Sequence, residues 1–185
     1  MPMRAPHESE PLPMAGLGAV PTGQTQPISL LLVEDDRADA LLVEELIADT
    51  NADIRVTWAA SVADAQHRLA ADRPDCVLLD LNLPDADGID ALDRICGYDA
   101  TMPIVVLTGL IDEHFGVLAV ASGAQDYLIK GRVEPESLRR SVLYAIERKR
   151  HELTAVDLQA SRLQAQENAR LERGLLPSPL LLDEP

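Results

Sequence analysis

The fold is decided by the stretch ISLLLVEDD at residues 28–36, an apolar run that ends in three consecutive acids. A run this short and this apolar is typical of a strand that is buried on both faces, as strands are in parallel sheets covered by helices. Four similar runs follow it, separated by longer amphipathic stretches. The predicted strands are 28–34, 54–59, 76–80, 104–108 and 126–129.

The stretches between the strands have the spacing of amphipathic helices. They are predicted at 36–49, 61–71, 88–96 and 112–122, and a last helix begins near Pro135, where proline suits the first turn. Regular alternation of strand and helix predicts an α/β fold with a five-stranded parallel sheet and helices on both faces. The core must come mainly from Val, Leu, Ile and Ala, because 46% of the residues are hydrophobic but only 3% are aromatic.

The last helix has no stop signal before Gly174 and Pro177, so its far half is expected to project from the domain. This half carries apolar residues at three-four spacing, which predicts a parallel two-helix coiled coil and a homodimer. A solvated helix that frays is the alternative. The residues of the stripe are Leu153, Val156, Ala160 and Leu163, with Leu171 after one extra four-residue step.

Four segments follow from these patterns. Residues 1–26 are interrupted by prolines and are expected to be a disordered leader. Residues 27–150 form one domain, 151–174 a helical linker, and 175–185 a tail or the start of a further domain.

Charge and composition restrict the partners and the compartment. A formal charge of −15 disfavours nucleic acid and anionic membranes as partners. No apolar run approaches the roughly 18 residues of a membrane span. Cys76 and Cys96 match no metal-ligand spacing, as expected of thiols in the cytoplasm. A basic cluster on the last helix leaves a nucleic-acid regulator as an alternative; its members are Arg139, Arg140, Arg148, Lys149 and Arg150.

Polar residues stand where the predicted strands end, and ligands of open parallel sheets bind at the carboxyl ends of strands. Several carboxylates packed together need a cation, and oxygen ligands suit Mg²⁺. The aspartate at the tip of the third strand can act as a nucleophile toward a phosphoryl group, with Mg²⁺ and a lysine absorbing charge and a threonine hydroxyl donating to it. These residues are Glu34, Asp35, Asp80, Thr108 and Lys130.

Four motifs in this order resemble the receiver domains of two-component response regulators: LLVEDD at 31–36, LLDLNLP at 78–84, VLTG at 106–109 and DYLIK at 126–130. The resemblance covers about residues 28–150. It implies the flavodoxin-like strand order 2-1-3-4-5 and phosphorylation by a sensor histidine kinase. No enzyme beyond self-phosphorylation and dephosphorylation is expected within these residues.

The resemblance also implies the role of each site residue. Glu34 and Asp35 would be the acidic pair, with Asp35 touching the metal. Asp80 would be the phosphoacceptor and a direct Mg²⁺ ligand, and Asn82 a ligand through its backbone carbonyl. Thr108 and Tyr127 would be the switch residues, which alter the face formed by the fourth helix, fifth strand and fifth helix.

Two glycines are of interest beside these motifs. Gly131 follows Lys130 where most receivers have proline, often after a cis bond, so the isomer of the Lys130–Gly131 bond stays open. Gly116 is expected to loosen the fourth helix.

The segment LERGLLPSPL at 171–180 resembles the region that introduces PP2C-type serine/threonine phosphatase domains of the sporulation and stress-response kind. It implies a phosphatase output and a chain that is part of a longer protein. A meaningless Leu/Pro-rich end is the alternative for this segment. An interaction scaffold that works without phosphorylation is the alternative for the whole chain.

Overall fold

The computed structural model describes residues 27–109 and 113–175. The predicted leader at 1–26, the start of the fourth predicted helix at Asp112 and nearly all of the tail lie outside these residues. Among the described residues, no helix combines the length and the apolar character that crossing a membrane requires.

Five parallel strands form the main sheet, and they confirm the predicted fold class. Their bounds are β1 Ile28–Val33, β2 Ile54–Ala59, β3 Cys76–Asp80, β6 Ile104–Thr108 and β7 Asp126–Ile129. In the sheet they lie in the order β2-β1-β3-β6-β7, which is 2-1-3-4-5 when only these five are numbered. An antiparallel pair, β4 Asn82–Leu83 and β5 Ala86–Asp87, lies between β3 and the next helix. Two-residue strands have no periodicity that a sequence pattern could detect.

Five helices follow the strands: α1 Arg37–Asp49, α2 Val62–Ala71, α3 Ile89–Tyr98, α4 Glu113–Ala121 and α5 Pro135–Leu175. Side-chain caps fix where the first two begin. The Asp36 carboxylate accepts the backbone N–H of Ala38 at 2.7 Å, and the Ser61 hydroxyl accepts that of Asp64 at 3.1 Å. Such caps satisfy backbone donors that have no partner within the helix.

Alternate residues of the central strands supply two cores, one on each face of the sheet. Leu31, Val33 and Leu79 pack with α2, α3 and α4, whereas Leu30, Leu32 and Leu78 pack with α1 and α5. This division follows from the two-residue period of a strand. Burial on both faces explains why β1 and β3 are continuous apolar runs.

Helix α5 has 41 residues and a length of about 60 Å. Its first three turns pack on the sheet through Leu138, Val142 and Ala145. Every residue from Thr154 to Leu171 is exposed. The far half therefore projects, as its sequence predicts.

The Lys130–Gly131 bond is trans, and none of the described peptide bonds is cis. Gly131 has a φ of 78°, in the left-handed region that a side chain disfavours. The positive φ of Gly131 therefore shapes the turn after Lys130 without a cis bond.

Candidate functional site

Strand register brings the predicted site residues to one edge of the sheet. Val33 pairs with Leu79, so that Glu34 and Asp80 are the next residues on neighbouring strands. Thr108 ends β6 and pairs with Ile129, the residue before Lys130. Two acids, a hydroxyl and an ammonium therefore lie side by side at the carboxyl ends of β1, β3, β6 and β7. They belong to Glu34, Asp80, Thr108 and Lys130.

Three acids form a compact cluster at this edge. One carboxylate oxygen each from Glu34, Asp35 and Asp80 lies within 4.8 Å of the others. Glu34 and Asp80 are buried, whereas Asp35 is exposed. The cluster therefore has a buried floor and an open side, as a site that takes up a hydrated cation requires.

The ammonium group of Lys130 contacts two acids of this cluster and also Asp39. Its Nζ lies 2.5 Å from Glu34 Oε2, 3.2 Å from Asp80 Oδ2 and 3.2 Å from Asp39 Oδ2. Burial alone would lower the pKa of Lys130, but the carboxylates of Glu34 and Asp80 raise it above its ordinary value. Lys130 therefore keeps its positive charge in this pocket.

One ammonium does not neutralise the buried acids. Burial raises the pKa of Glu34 to about 7, and Lys130 only partly opposes that effect. Burial also raises the pKa of Asp80, against Lys130 and the backbone N–H of Leu81. A divalent cation would remove this excess of negative charge, and hard carboxylate oxygens with room for water are the ligands that Mg²⁺ prefers. The donor set fits Mg²⁺.

The edge strand β2 fixes the turn that carries Glu34. The Glu34 backbone N–H donates to the Ala59 carbonyl at 3.0 Å, and the Trp58 indole Nε1 donates to the Glu34 carbonyl at 2.7 Å. The Arg37 guanidinium lies 4.8 Å from the centre of the Trp58 ring, as in a cation–π contact. Both polar groups of the Glu34 backbone are thus bonded to β2.

Thr108 and Tyr127 lie on the adjacent strands β6 and β7, Thr108 at the carboxyl end of its strand and Tyr127 opposite Val106. Thr108 is buried, its hydroxyl is 3.4 Å from the Gly109 carbonyl, and its own carbonyl accepts the Lys130 backbone N–H at 2.7 Å. The Tyr127 ring packs against α4 at Gly116, where a Cβ would come within 2.3 Å of Tyr127 Cδ2. Helix α4 is continuous through Gly116. The glycine gives room to the ring.

Asn82 lies in β4, exposed and paired with Asp87. The hairpin that follows it is tied to two helices. The Asp85 carboxylate accepts the backbone N–H groups of Val62 and Ala63, and the Asp85 carbonyl accepts from Arg94 at 2.6 Å. The loop after Asp80 is therefore held by its neighbours.

Two residues of the site lie outside the sequence motifs. Asp39 is in the first turn of α1 and contacts Lys130, from which it is 91 positions distant. Trp58 bonds to Glu34 from another strand. The sequence offered one signal for Trp58, since it is the only tryptophan of the chain. It offered none that sets Asp39 apart from the other acids of α1.

Comparison with known proteins agrees with this fold and pocket. A sequence model of the response regulator receiver domain matches residues 30–143. The transcriptional regulatory protein AfsQ1 of Streptomyces coelicolor is 40% identical over 114 residues, which are 60% of this chain and 49% of that protein. KdpE of Staphylococcus aureus, another transcriptional regulatory protein, is 35% identical over 101 residues, 55% of this chain and 42% of its own length.

The fold is also similar to that of solved response regulator structures. A crystal structure described as a response regulator from Chloroflexus aurantiacus has a TM-score of 0.59 at 30% identity and covers 66% of this chain and 99% of its own. A receiver domain protein from Clostridium thermocellum has a TM-score of 0.59 at 26% identity, covering 66% and 97%.

The fold and the acidic pocket define a phospho-accepting α/β domain of the receiver class. The chain belongs to the response regulator receiver domain family. The chain spans about half the length of the curated relatives it matches. Membership implies a cognate histidine kinase as a partner.

Proposed function

We propose that Asp80 accepts a phosphoryl group from a sensor histidine kinase while Mg²⁺ is bound by Glu34, Asp35 and Asp80. The observation that carries this proposal is the carboxylate cluster, whose oxygens lie within 4.8 Å of one another and beside the Lys130 ammonium. The backbone carbonyl of Asn82 would complete the protein ligands. Bound Mg²⁺ would neutralise the charge that spreads over the transferred oxygens.

The transfer is a displacement at phosphorus. A carboxylate oxygen of Asp80 forms a new O–P bond, and the bond from phosphorus to the donor breaks with its electron pair remaining on the leaving group. Lys130 would stabilise the charge on the equatorial oxygens, since its Nζ lies 3.2 Å from Asp80 Oδ2. The backbone N–H of Leu81 donates to Asp80 Oδ1 at 2.9 Å and orients the carboxylate.

Thr108 and Tyr127 would pass the change to the surface. Thr108 ends the strand next to Asp80, so its hydroxyl can donate to a phosphoryl oxygen once one is present. Tyr127 belongs to the next strand, β7, and its ring packs on α4 at Gly116. Movement of the threonine would then alter the face formed by α4, β7 and α5, where Val117, Leu118 and Tyr144 are exposed.

Incubation with acetyl phosphate and Mg²⁺, followed by mass measurement of the intact protein, tests the phosphoacceptor. Wild type is expected to gain one phosphoryl group, and Asp80→Asn none. Asp87→Asn is the matched control, since Asp87 is an exposed acid seven positions along in β5. Equal modification of wild type and Asp80→Asn would exclude Asp80. No modification of any variant would favour a scaffold that works without phosphorylation.

The activity that the receiver domain controls is proposed from other parts of the chain than the pocket. The exposed stripe of α5 supports a coiled coil through which two chains pair and transmit the change. The segment at 171–180 supports a PP2C-type phosphatase output in a longer protein. The relatives reported above are transcriptional regulators, which makes DNA binding by such a further domain the competing output.

The two outputs differ in what they act on. Dephosphorylation of a phosphoserine peptide by a protein that includes the downstream domain would support the phosphatase. Salt-dependent binding to duplex DNA without that activity would overturn it.

A further inference from the structure

We propose that Asp39 is a positioning residue that competes with Asp80 for the Lys130 ammonium in the unphosphorylated state. The inference rests on the proposed phosphorylation of Asp80. Its observation is the contact of one ammonium with three carboxylates, of which only Asp39 lies outside the group of acids that surrounds the cation site.

The backbone around Lys130 leaves its side chain as the part that can move. The Lys130 backbone N–H is bonded to the Thr108 carbonyl at 2.7 Å, and Gly131 turns the chain directly afterwards. Asp39 belongs to the first turn of α1, and its Oδ2 is 3.2 Å from Nζ. The ammonium is thus equally close to Asp39 and to Asp80, at 3.2 Å from each.

A cavity adjoins the contact of Asp39 with Lys130. It has a volume of about 310 Å³, and Asp39, Lys130 and Gly131 belong to its wall. The rest of the wall is apolar and cannot compete for the ammonium: Leu42, Val43, Leu46, Leu107 and Val133. Asp39 is therefore the charged group on the α1 side that holds Lys130 among the described residues.

Phosphorylation changes the balance between these contacts. A phosphoryl group brings further negative charge and additional acceptor oxygens to Asp80. These oxygens attract Lys130, and Asp39 competes with them for the same ammonium. Removal of the Asp39 charge should therefore favour the phosphorylated state and the path to it.

Removal of the Asp39 charge is expected to have a modest effect, because the Asp39 side chain is 44% exposed. Exposed ion pairs of this kind change an equilibrium or a rate by about twofold to fivefold. Glu34 also keeps Lys130 in the pocket after Asp39 is neutralised, since its Oε2 is 2.5 Å from Nζ. Asp39→Asn should consequently not release the lysine into solvent.

The experiment compares wild type, Asp39→Asn and Glu45→Gln at saturating Mg²⁺. Glu45 is the matched control, because it is an exposed acid on the same helix that lies beside Gly131 without a contact to Lys130. Two quantities are measured: the rate of Asp80 phosphorylation by acetyl phosphate, and the affinity for the phosphoryl mimic beryllofluoride. The second is a binding measurement that needs no turnover.

Asp39→Asn is expected to raise both quantities about twofold to fivefold, whereas Glu45→Gln stays at the wild-type values. The difference should shrink in added salt, because salt screens an ion pair whose acid is 44% exposed. Values for Asp39→Asn at or below those of Glu45→Gln would overturn the role of Asp39. Absence of phosphorylation in wild type would instead overturn the proposed function.

Discussion

At the scale of single residues, two contacts depend on a single group. One depends on the absence of a side chain at Gly116, and the other on the single N–H donor of Trp58. Gly116 has no side chain, and the Tyr127 ring occupies the place where its Cβ would be. Trp58 donates one hydrogen bond, which reaches the carbonyl of Glu34. Single substitutions at these positions should therefore have defined effects.

Gly116→Ala is expected to destabilise the protein by about 1–3 kcal/mol, the usual cost of overpacking, because its Cβ would meet Tyr127 Cδ2 at 2.3 Å. Gly97→Ala in α3 is the control, since no atom lies within 4 Å of the position of its added methyl group. The second change should stabilise the helix by roughly 0.5–1 kcal/mol. Urea unfolding measures both. Equal stability of the two variants would show that the ring does not pack at Gly116.

Trp58→Phe is expected to lower the free energy of unfolding by about 0.5–1.5 kcal/mol, because it removes the donor to the Glu34 carbonyl but keeps an aromatic ring beside Arg37. Thermal or urea denaturation followed by circular dichroism measures the change. Tyr98→Phe is the control, since Tyr98 is exposed and loses only a hydroxyl. A Trp58→Phe protein as stable as this control would contradict the contribution of the bond.

At the scale of secondary-structure elements, the hairpin after Asp80 is connected to α2 by Asp85. Its two carboxylate oxygens accept the backbone N–H groups of Val62 and Ala63 at 3.0 and 2.9 Å. Slight burial would raise the pKa of Asp85, but these two N–H groups and the Arg94 guanidinium hold it below its ordinary value of 3.8. One side chain thus caps a helix and anchors the loop that follows Asp80.

Asp85→Ala is expected to cost about 1 kcal/mol of stability at neutral pH, as other lost helix caps do. A carboxyl whose pKa is lowered by folding contributes stability above its unfolded pKa, and that contribution disappears as the pH falls through the folded pKa. The difference between wild type and variant should therefore be constant above about pH 4 and shrink below it. Asp87→Ala, another acid of the hairpin, serves as the control in the same denaturation series. A difference that persists unchanged at low pH would exclude the cap.

At the scale of the whole molecule, two features connect the pocket to the rest of the chain. The acid cluster joins β1 to β3, so a cation bound there ties the centre of the sheet together. Helix α5 begins on the sheet and continues beyond the domain with an exposed apolar stripe. The first feature predicts an effect of metal on stability, and the second an effect of the stripe on oligomeric state.

Mg²⁺ is expected to raise the Tm of the wild type, by an amount equivalent to about 2.7 kcal/mol at a concentration one hundred times its Kd. Asp35→Asn should lose most of this gain because it removes one carboxylate of the cluster. Asp36→Asn is the control, because asparagine caps α1 as well as aspartate does. Thermal scans with Mg²⁺ and with EDTA measure the gain. An equal gain in all three proteins would place the ion elsewhere.

The double variant Val156→Glu and Leu163→Glu is expected to convert a dimer to a monomer, because it puts charge into the proposed seam of α5. Leu158 is also exposed, but it lies on the face of α5 opposite to the stripe. Leu158→Glu should therefore leave the dimer intact. Light scattering of the full chain measures the mass of each. A monomeric wild type would refute the coil.

The sequence by itself determined the alternation of strands and helices, the residues at the carboxyl ends of the strands and the long last helix. Those features depend on local periodicity and on residue type, which a chain carries without its neighbours. Only the tertiary structure decided that Asp39 contacts Lys130, that Trp58 bonds to Glu34, and that Asp85 caps α2. These contacts join segments far apart in the chain, so they depend on how strands pair and how helices pack on the sheet, for which no local pattern exists.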